Sequence, residues 1–260
     1  MRIALGLEYD GRHFQGWQIL GEKRTVQAAL QAALSRVANG PVKVQCAGRT
    51  DSGVHAIGQV VHFDTDAIRS ERAWLLGTNT HLPADVAVTW VRVVPESFHA
   101  RFKATGRVYR YLICNRMAPP ANLAGKITWD YRPLDANRMQ AAANLLVGEH
   151  DFSAFRALAC QARSAVRTLR RLTVWRDGYL VGFEVEANAF LYHMVRNLVG
   201  VLTAIGTGKA EPAWAAQVLA GRDRTKGGVT APPDGLYLVE VQYPPEFDIP
   251  SPPRLVGLLP

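Results

Sequence analysis

The segment VKVQCAGRTDSGVHAIGQVVHF (residues 42–63) contains two β-rich runs on either side of a short loop bounded by glycines. The loop, GRTDSG (48–53), is built from residues that favour tight turns. Val42, Val44 and Cys46 alternate with polar residues, which predicts a strand over 42–48, and a second strand is expected over 54–63. We therefore expect two consecutive strands here, and the first half of the chain can be read outward from them.

The elements around this pair follow a simple order. Thr25 can cap a helix whose end is marked by Asn39-Gly40-Pro41. The elements predicted for the first half are a strand at about 2–9, a helix at 26–38, the two strands above, a helix near 69–77 and a strand at 86–94. This order is βαββαβ.

The same order returns in the second half. Asp177-Gly178 is a strong hairpin signal between two strand-like runs. The predicted elements are strands at 107–114, 166–175, 179–187 and 236–242, and helices at 135–147 and 190–205. We expect an α+β protein in which two ferredoxin-like βαββαβ halves share one mostly antiparallel sheet with helices packed on it.

The expected boundaries are a first half at 1–104, a second half at 105–243 and a tail at 244–260. The tail carries six prolines. It is expected to lie extended over the surface or to be partly disordered.

The composition is that of a globular protein with an excess of basic residues. Thirty Lys and Arg against 22 Asp and Glu give a net charge of +8. Such an excess favours a polyanionic partner, although a basic cytosolic protein without nucleic acid would have the same charge. Cys46, Cys114 and Cys160 are widely spaced, which favours a reducing cytoplasm over a disulfide framework. No stretch is long and apolar enough for a membrane span, and the N-terminus does not have the pattern of a signal peptide.

Asp51 is the first candidate for chemistry. An aspartate in a tight loop is often a turn residue that accepts hydrogen bonds from its own backbone. Arg49, Thr50, His55, Gln59 and His62 lie close by in sequence, and on a basic chain they favour a functional loop.

Two further candidates lie in the second half. Arg196 is a single cation in an apolar helical pattern, so it either meets acceptors in the interior or extends outward along its stem. Tyr109 alternates with Arg107 and Arg110 in a strand. This pattern suits base stacking and phosphate contact, and it equally fits ordinary strand packing. The basic run that includes Arg167, Arg170 and Arg171 likewise fits either a phosphate-facing strand or a solvated one.

Other site types are not favoured. The run Gly206-Thr207-Gly208-Lys209 looks like a P-loop, but Thr203 and Ala210 occupy the positions of its first glycine and its Ser/Thr. His55 and His62 have no third ligand at a recognised spacing, so no metal is expected.

Several motifs taken in order resemble the tRNA pseudouridine synthase A family. They are YDG (9–11) with FQGWQ (14–18), AGRTDSGVH (47–55), FHARF (98–102) and NAFLYHMVRN (188–197). The resemblance runs from about residue 3 to residue 243. It implies the pseudouridine synthase fold, with a catalytic cleft between the two halves.

The resemblance also implies an activity and a site. The activity is isomerisation of uridine to pseudouridine at nucleotides 38, 39 and 40 of the tRNA anticodon stem-loop, by a homodimer without metal or organic cofactor. Asp51 matches the family's nucleophile, Arg196 the arginine beside it, and Tyr109 the tyrosine that stacks on the base. Arg49 and Thr50 belong to the nucleophile motif and are expected to contact substrate. The alternative from another class is a duplicated RNA-binding module without catalysis.

Overall fold

The computed structural model describes residues 1–158 and 160–251 and divides into two units. Unit 1 consists of Met1–Thr105 with the described residues from Leu238 onward, and unit 2 is Gly106–Tyr237. Residues 238–243, which the sequence reading placed in the second half, cluster with unit 1.

Unit 1 begins with the predicted βαββαβ order. Its helices are α1 (Val26–Ala38) and α2 (Glu71–His81), and its first four strands are β1 (Arg2–Tyr9), β2 (Gln45–Cys46), β3 (His55–Asp64) and β4 (Val86–Val94). The strand order is β4-β1-β3 with β2 also beside β3, and these pairings are all antiparallel. This is the strand order of a ferredoxin-like half.

Unit 2 has the helices α3 (Ala136–Asn144), α4 (Met194–Gly206) and α5 (Trp214–Gly221). Its strands are β5 (Gly106–Cys114), β6 (Thr128–Trp129), β7 (Gly148–Asp151), β8 (Val166–Asp177) and β9 (Leu180–Ala187). The strand order is β5-β9-β8-β7, antiparallel throughout, with β6 parallel to β5. The last strand among the described residues is β10 (Leu236–Gln242). The predicted α+β class with mostly antiparallel strands is confirmed.

Local sequence accounts for where α1 begins and ends. The Thr25 hydroxyl accepts from the Ala28 amide, and Asn39 adopts a left-handed φ of 55° at the other end. Val26, Leu30 and Leu34 recur every four residues and are buried, so this face turns to the core of unit 1.

Some elements differ from the prediction. The strand expected over 42–48 shrinks to Gln45–Cys46, because side chains of α1 bind its first amides: Val42 N donates to Ser35 Oγ and Val44 N to Gln31 Oε1. The helix expected from 190 starts at Met194, since His193 before it takes a left-handed φ of 61°. The elements β6, β7 and α5 were not predicted.

The first residues of the proline-rich tail pack against unit 1. Phe247 is buried with its ring centroid 5.2 Å from that of Phe98. Tyr243, the residue before the tail, donates from its Oη to Ala100 O at 2.6 Å. Phe247 of the tail therefore belongs to the core of the unit, whereas Glu246 and Ser251 are exposed. The remainder, 252–260, lies outside the described residues.

His62 on β3 is a buried histidine that must stay neutral to make its contact. Its Nδ1 accepts the amide of Ala100 at 3.2 Å, which a doubly protonated ring cannot do. Burial, helped by the positive charges of His99 and Arg2, lowers its pKa from 6.5 to about 4. Since the unfolded chain binds this proton more readily, the contribution of His62 to stability is complete above pH 6.5 and is lost as the pH falls through about 4.

We predict that the free energy of unfolding falls between pH 6.5 and 4 by on the order of 2–3 kcal/mol from His62 alone. His62→Asn, whose Oδ1 can still accept from Ala100, should flatten that dependence in denaturant unfolding measured across the range. His13→Asn changes an exposed histidine and is the control. An unchanged pH profile in His62→Asn would show that another group is responsible.

Candidate active site

The loop with Asp51 joins β2 to β3 and is clamped at its start by Gln59. The Gln59 Nε2 donates to Gly48 O at 2.6 Å, and its Oε1 accepts from Gly48 N at 3.4 Å. Gln59 is completely buried. A buried amide that bonds to both polar groups of one residue fixes the backbone there as a neighbouring strand would.

The other side of the loop rests on residues 14–17. Trp17 N donates to Thr50 O at 3.0 Å, and both Gly53 N and Ser52 Oγ donate to Phe14 O, at 3.3 and 3.2 Å. The rings of Phe14 and Trp17 are buried. The backbone on both sides of Asp51 is therefore tied to a packed segment.

Gly16 is required for this close approach. Its φ is +83°, and a Cβ there would lie 2.8 Å from Thr50 O. A side chain would therefore be strained both by the backbone angle and by the contact. This explains the glycine in the FQGWQ motif (14–18).

Within the loop, three neighbouring side chains have different environments. The Thr50 hydroxyl is buried 2.8 Å from the Tyr9 hydroxyl, which in turn lies 3.5 Å from Gln59 Nε2. Arg49 is exposed and Asp51 is half-buried. Val54 N donates to Asp51 O at 3.1 Å and closes the turn. Thr50 thus anchors the loop inward, and its expected contact with substrate stays a prediction.

Tyr109 lies on β5 opposite Val185 of β9 and is largely buried. Its ring meets the ring of Phe190 edge to face, with centroids 5.0 Å apart and planes at 82°. This packing restricts the tilt of the Tyr109 ring. Tyr111, two residues along, donates to Pro232 O at 2.9 Å and lies 2.6 Å from the Thr128 hydroxyl. Burial raises the pKa of Tyr111 well above its ordinary value, so it stays a neutral phenol.

Arg196 lies in the first turn of α4 and is half-buried. Its Nε donates to Ala231 O at 2.7 Å, and Ala231 N donates to Arg196 O at 3.1 Å. The sequence left two alternatives for Arg196: its guanidinium meets acceptors in the interior, or its side chain extends outward. The bond from Nε to Ala231 O agrees with the first alternative. The bond fixes the plane of the guanidinium group, whose remaining donors are well suited to a carboxylate.

A buried network holds the Ala231 segment in place. Asn197 is buried, donates through Nδ2 to Phe155 O at 2.8 Å, and accepts on Oδ1 from Thr230 Oγ1 at 2.7 Å and Arg224 Nη2 at 2.9 Å. The segment also approaches the helix closely, since a Cβ on Gly200 would lie 1.8 Å from Val229 O.

Asn197 and Arg224 are the supporting residues that the sequence reading missed. A buried amide next to Arg196 on an otherwise apolar helix was the available signal. Arg224, which donates to Asn197, is too distant from it in sequence for this contact to be inferred.

The structure groups the candidates by unit. Arg49, Thr50 and Asp51 lie in unit 1, whereas Tyr109 and Arg196 lie in unit 2. The pairing of Asp51 with Arg196 stays a prediction. A carboxylate on a loop fixed at both ends is suited to act as a nucleophile or as a base. Because the loop is already ordered, little conformational entropy is lost when the carboxylate reacts.

Two negative findings concern the described residues alone. No helix within residues 1–158 and 160–251 is long and apolar enough to cross a membrane. Over the same residues, no three His, Cys, Asp or Glu side chains are grouped so that they could hold a metal ion.

Comparison with known proteins agrees with these motifs. The family model described as tRNA pseudouridine synthase matches residues 7–103 and 142–244. Relatives named tRNA pseudouridine synthase A are 59% identical over 96% of this chain in Methylococcus capsulatus and 57% identical over 96% in Nitrosococcus oceani, covering 92% and 96% of those proteins. A Coxiella burnetii relative of the same name is 54% identical over 97% of both chains. The chain belongs to the tRNA pseudouridine synthase family, whose members are isomerases.

We predict that Gln59→Leu destabilises unit 1 by about 1–3 kcal/mol, because the half-buried amide and carbonyl of Gly48 lose their partner. The loop should also lose its fixed position, so kcat on substrate should fall. Thermal unfolding and turnover measure the two effects. Gln45→Leu removes an exposed glutamine and serves as the control. Unchanged stability in Gln59→Leu would show that the clamp is not needed.

Proposed function

We propose that this protein isomerises uridine to pseudouridine at nucleotides 38, 39 and 40 of the tRNA anticodon stem-loop. The observation that carries the proposal is the position of Asp51, on a loop clamped by Gln59 and by residues 14–17, inside the matched family region 7–103. The names of the relatives support tRNA as the substrate. The net charge of +8 suits a polyanion.

The reaction detaches uracil from C1′ at N1 and rejoins it at C5, with no redox change and no net hydrolysis. It needs a group that can attack and leave again. The Asp51 carboxylate has both properties, since it is nucleophilic when aligned and its ester is a reversible adduct. Attack at C1′, attack at C6 and a glycal route all remain open. No step requires a metal or an organic cofactor.

Two residues of unit 2 complete the proposed site. The Arg196 guanidinium, whose plane is fixed by Ala231, would orient the Asp51 carboxylate and keep it ionised. A uridine stacked in the anticodon arm must flip out before it can be reached, and Tyr109 would then hold the face of the uracil ring. Arg49 is exposed and would contact the nucleic acid. The C5 proton would leave to the Tyr109 hydroxyl or to water.

The assembly and the location of the enzyme are parts of the same proposal. The family resemblance supports a homodimer that holds tRNA across both subunits. The three cysteines are all free, which suits a reducing cytoplasm. The non-catalytic RNA-binding module is disfavoured, because the family matched along most of the chain is one of isomerases.

Asp51→Asn tests the catalytic role. The amide is nearly isosteric with the carboxylate but is a poor nucleophile, so pseudouridine formation should be abolished while tRNA binding and the melting temperature stay close to wild type. Turnover is followed as release of label from unmodified tRNA labelled at C5 of uridine. Asp66→Asn, an exposed aspartate in the same unit, is the control. Full turnover by Asp51→Asn would refute the mechanism.

Tyr109→Phe separates stacking from proton transfer. The variant keeps the ring that packs against Phe190, so tRNA affinity should be unchanged. It loses the hydroxyl, and kcat should therefore fall if that oxygen takes the C5 proton. The same label-release assay and a binding titration measure the two quantities. Wild-type kcat would remove the hydroxyl from the mechanism.

A further inference from the structure

The arginines of unit 2 fall into two groups that differ in their charge partners. On one side of β8 and β9, Arg171 pairs with Glu184 at 2.8 Å and Glu186 at 3.2 Å. Arg110 pairs with Glu184 at 2.8 Å and Arg170 with Glu186 at 3.7 Å. These guanidinium groups are compensated by carboxylates within the same network.

Arg156 and Arg167 belong to the second group. Neither forms an ion pair with a carboxylate among residues 1–158 and 160–251. Arg156 Nη2 donates to Cys160 O at 2.7 Å, and Arg167 Nη1 donates to Ser164 O at 3.0 Å and Val166 O at 2.6 Å. A carbonyl satisfies a donor but does not neutralise a charge. The carboxylate of Asp151 interacts electrostatically with Arg156 but is paired with Arg222 at 3.5 Å, so positive charge still predominates here.

Arg167, like Arg156, is half-buried. Its Nε is buried and meets no acceptor in the part of the chain that the structure describes. Burial lowers the pKa of its guanidinium; the nearby Cys160 thiol opposes this, while the positive charges of Arg156 and Arg107 lower the pKa further. A charge that is desolvated and repelled in this way is stabilised when an anion binds.

The Cys160 thiol responds to the same positive charge. Desolvation raises its pKa, but hydrogen bonds from the backbone of Tyr192 and Ala162, together with the Arg156 guanidinium, bring the pKa below its ordinary value. The local environment therefore favours a negative charge at this place in unit 2.

The arginine pair adjoins the segment that positions Tyr109. Asn188, two residues before Phe190, accepts on Oδ1 from Thr168 N at 3.1 Å and donates its own amide to Thr168 O at 3.2 Å. Arg107 Nη1 donates to Asn188 O at 3.0 Å, and Arg107 shares its face of β5 with Tyr109. The cations and the aromatic ring are thus linked through one short segment.

We propose that Arg156 and Arg167, with Arg107 nearby, form a phosphate subsite that holds a backbone phosphodiester of the RNA strand whose base reaches Tyr109. This proposal depends on the proposed function, because the phosphate is taken to belong to the RNA substrate. An aromatic platform beside cations that contact the backbone is the usual way in which proteins hold single-stranded nucleic acid. Two arginines in fork geometry suit the oxygens of a phosphodiester.

The test measures binding of in vitro transcribed tRNA to the full chain over a range of salt concentrations. Loss of one phosphate contact lowers the slope of log Kd against log salt by about one. We expect this shift, with weaker binding, in Arg167→Gln and in Arg156→Gln. Arg167→Lys, which keeps the charge, should recover most of the slope. Arg171→Gln, whose arginine is paired with Glu184 and Glu186, is the matched control and should leave the slope unchanged.

The outcomes separate this subsite from its alternatives. Equal losses in Arg167→Gln and Arg171→Gln would indicate general charge and overturn the proposal. Wild-type slopes in both Arg156→Gln and Arg167→Gln would show that these arginines only support the neighbouring backbone. If Arg167→Gln has a lowered melting temperature, its binding data could reflect lost stability. The salt slope of Arg156→Gln then decides whether the subsite exists. Thermal protection by inorganic phosphate that Arg167→Gln abolishes, with tRNA binding intact, would assign the site to free phosphate and also overturn the proposal. Failure of the proposed function shows separately, as absence of turnover by the wild-type chain.

Discussion

The bond between the Gln59 side chain and Gly48 is the constraint on which the arrangement of the Asp51 loop depends. Gln59 belongs to β3, and Gly48 is the first residue of the loop that precedes β3. Their bonds therefore tie the loop to the sheet. Thr50 extends the same buried chain of hydrogen bonds to Tyr9 on β1. With Phe14 and Trp17 on the other side, and with the bond from Val54 N to Asp51 O, the backbone around Asp51 is fixed.

A parallel arrangement is found in unit 2. Arg196 is held by Ala231, and the segment around Ala231 is held by the buried amide of Asn197. In both units the side chain proposed for the reaction is next to a residue that turns inward and forms structural hydrogen bonds: Thr50 beside Asp51, and Asn197 beside Arg196. Such support keeps a reactive group near its productive geometry at little entropic cost.

Much of this organisation could be predicted from the sequence, because it is encoded locally. The bounds of α1 follow from Thr25 and Asn39, and the hairpin of β8 and β9 from Asp177-Gly178, where Gly178 has a φ of 55°. Asp51 became a candidate from its loop and its motif, and its role stays a prediction. Long-range contacts were out of reach: the amides of Val42 and Val44 bind side chains of α1, so the strand predicted over 42–48 is mostly absent. The ion pairs that separate Arg171 from Arg167 likewise depend on neighbours on another strand.

The central claim, that a clamped aspartate loop isomerises uridines of the anticodon arm, is tested most directly by mapping pseudouridine at single-nucleotide resolution. Unmodified tRNA carrying uridine at nucleotides 38, 39 and 40 is incubated with the wild-type chain, dialysed against chelator and without added cofactor. The account predicts pseudouridine at those nucleotides and unchanged uridine in the other arms. Absence of pseudouridine, or its formation only outside the anticodon arm, would contradict it.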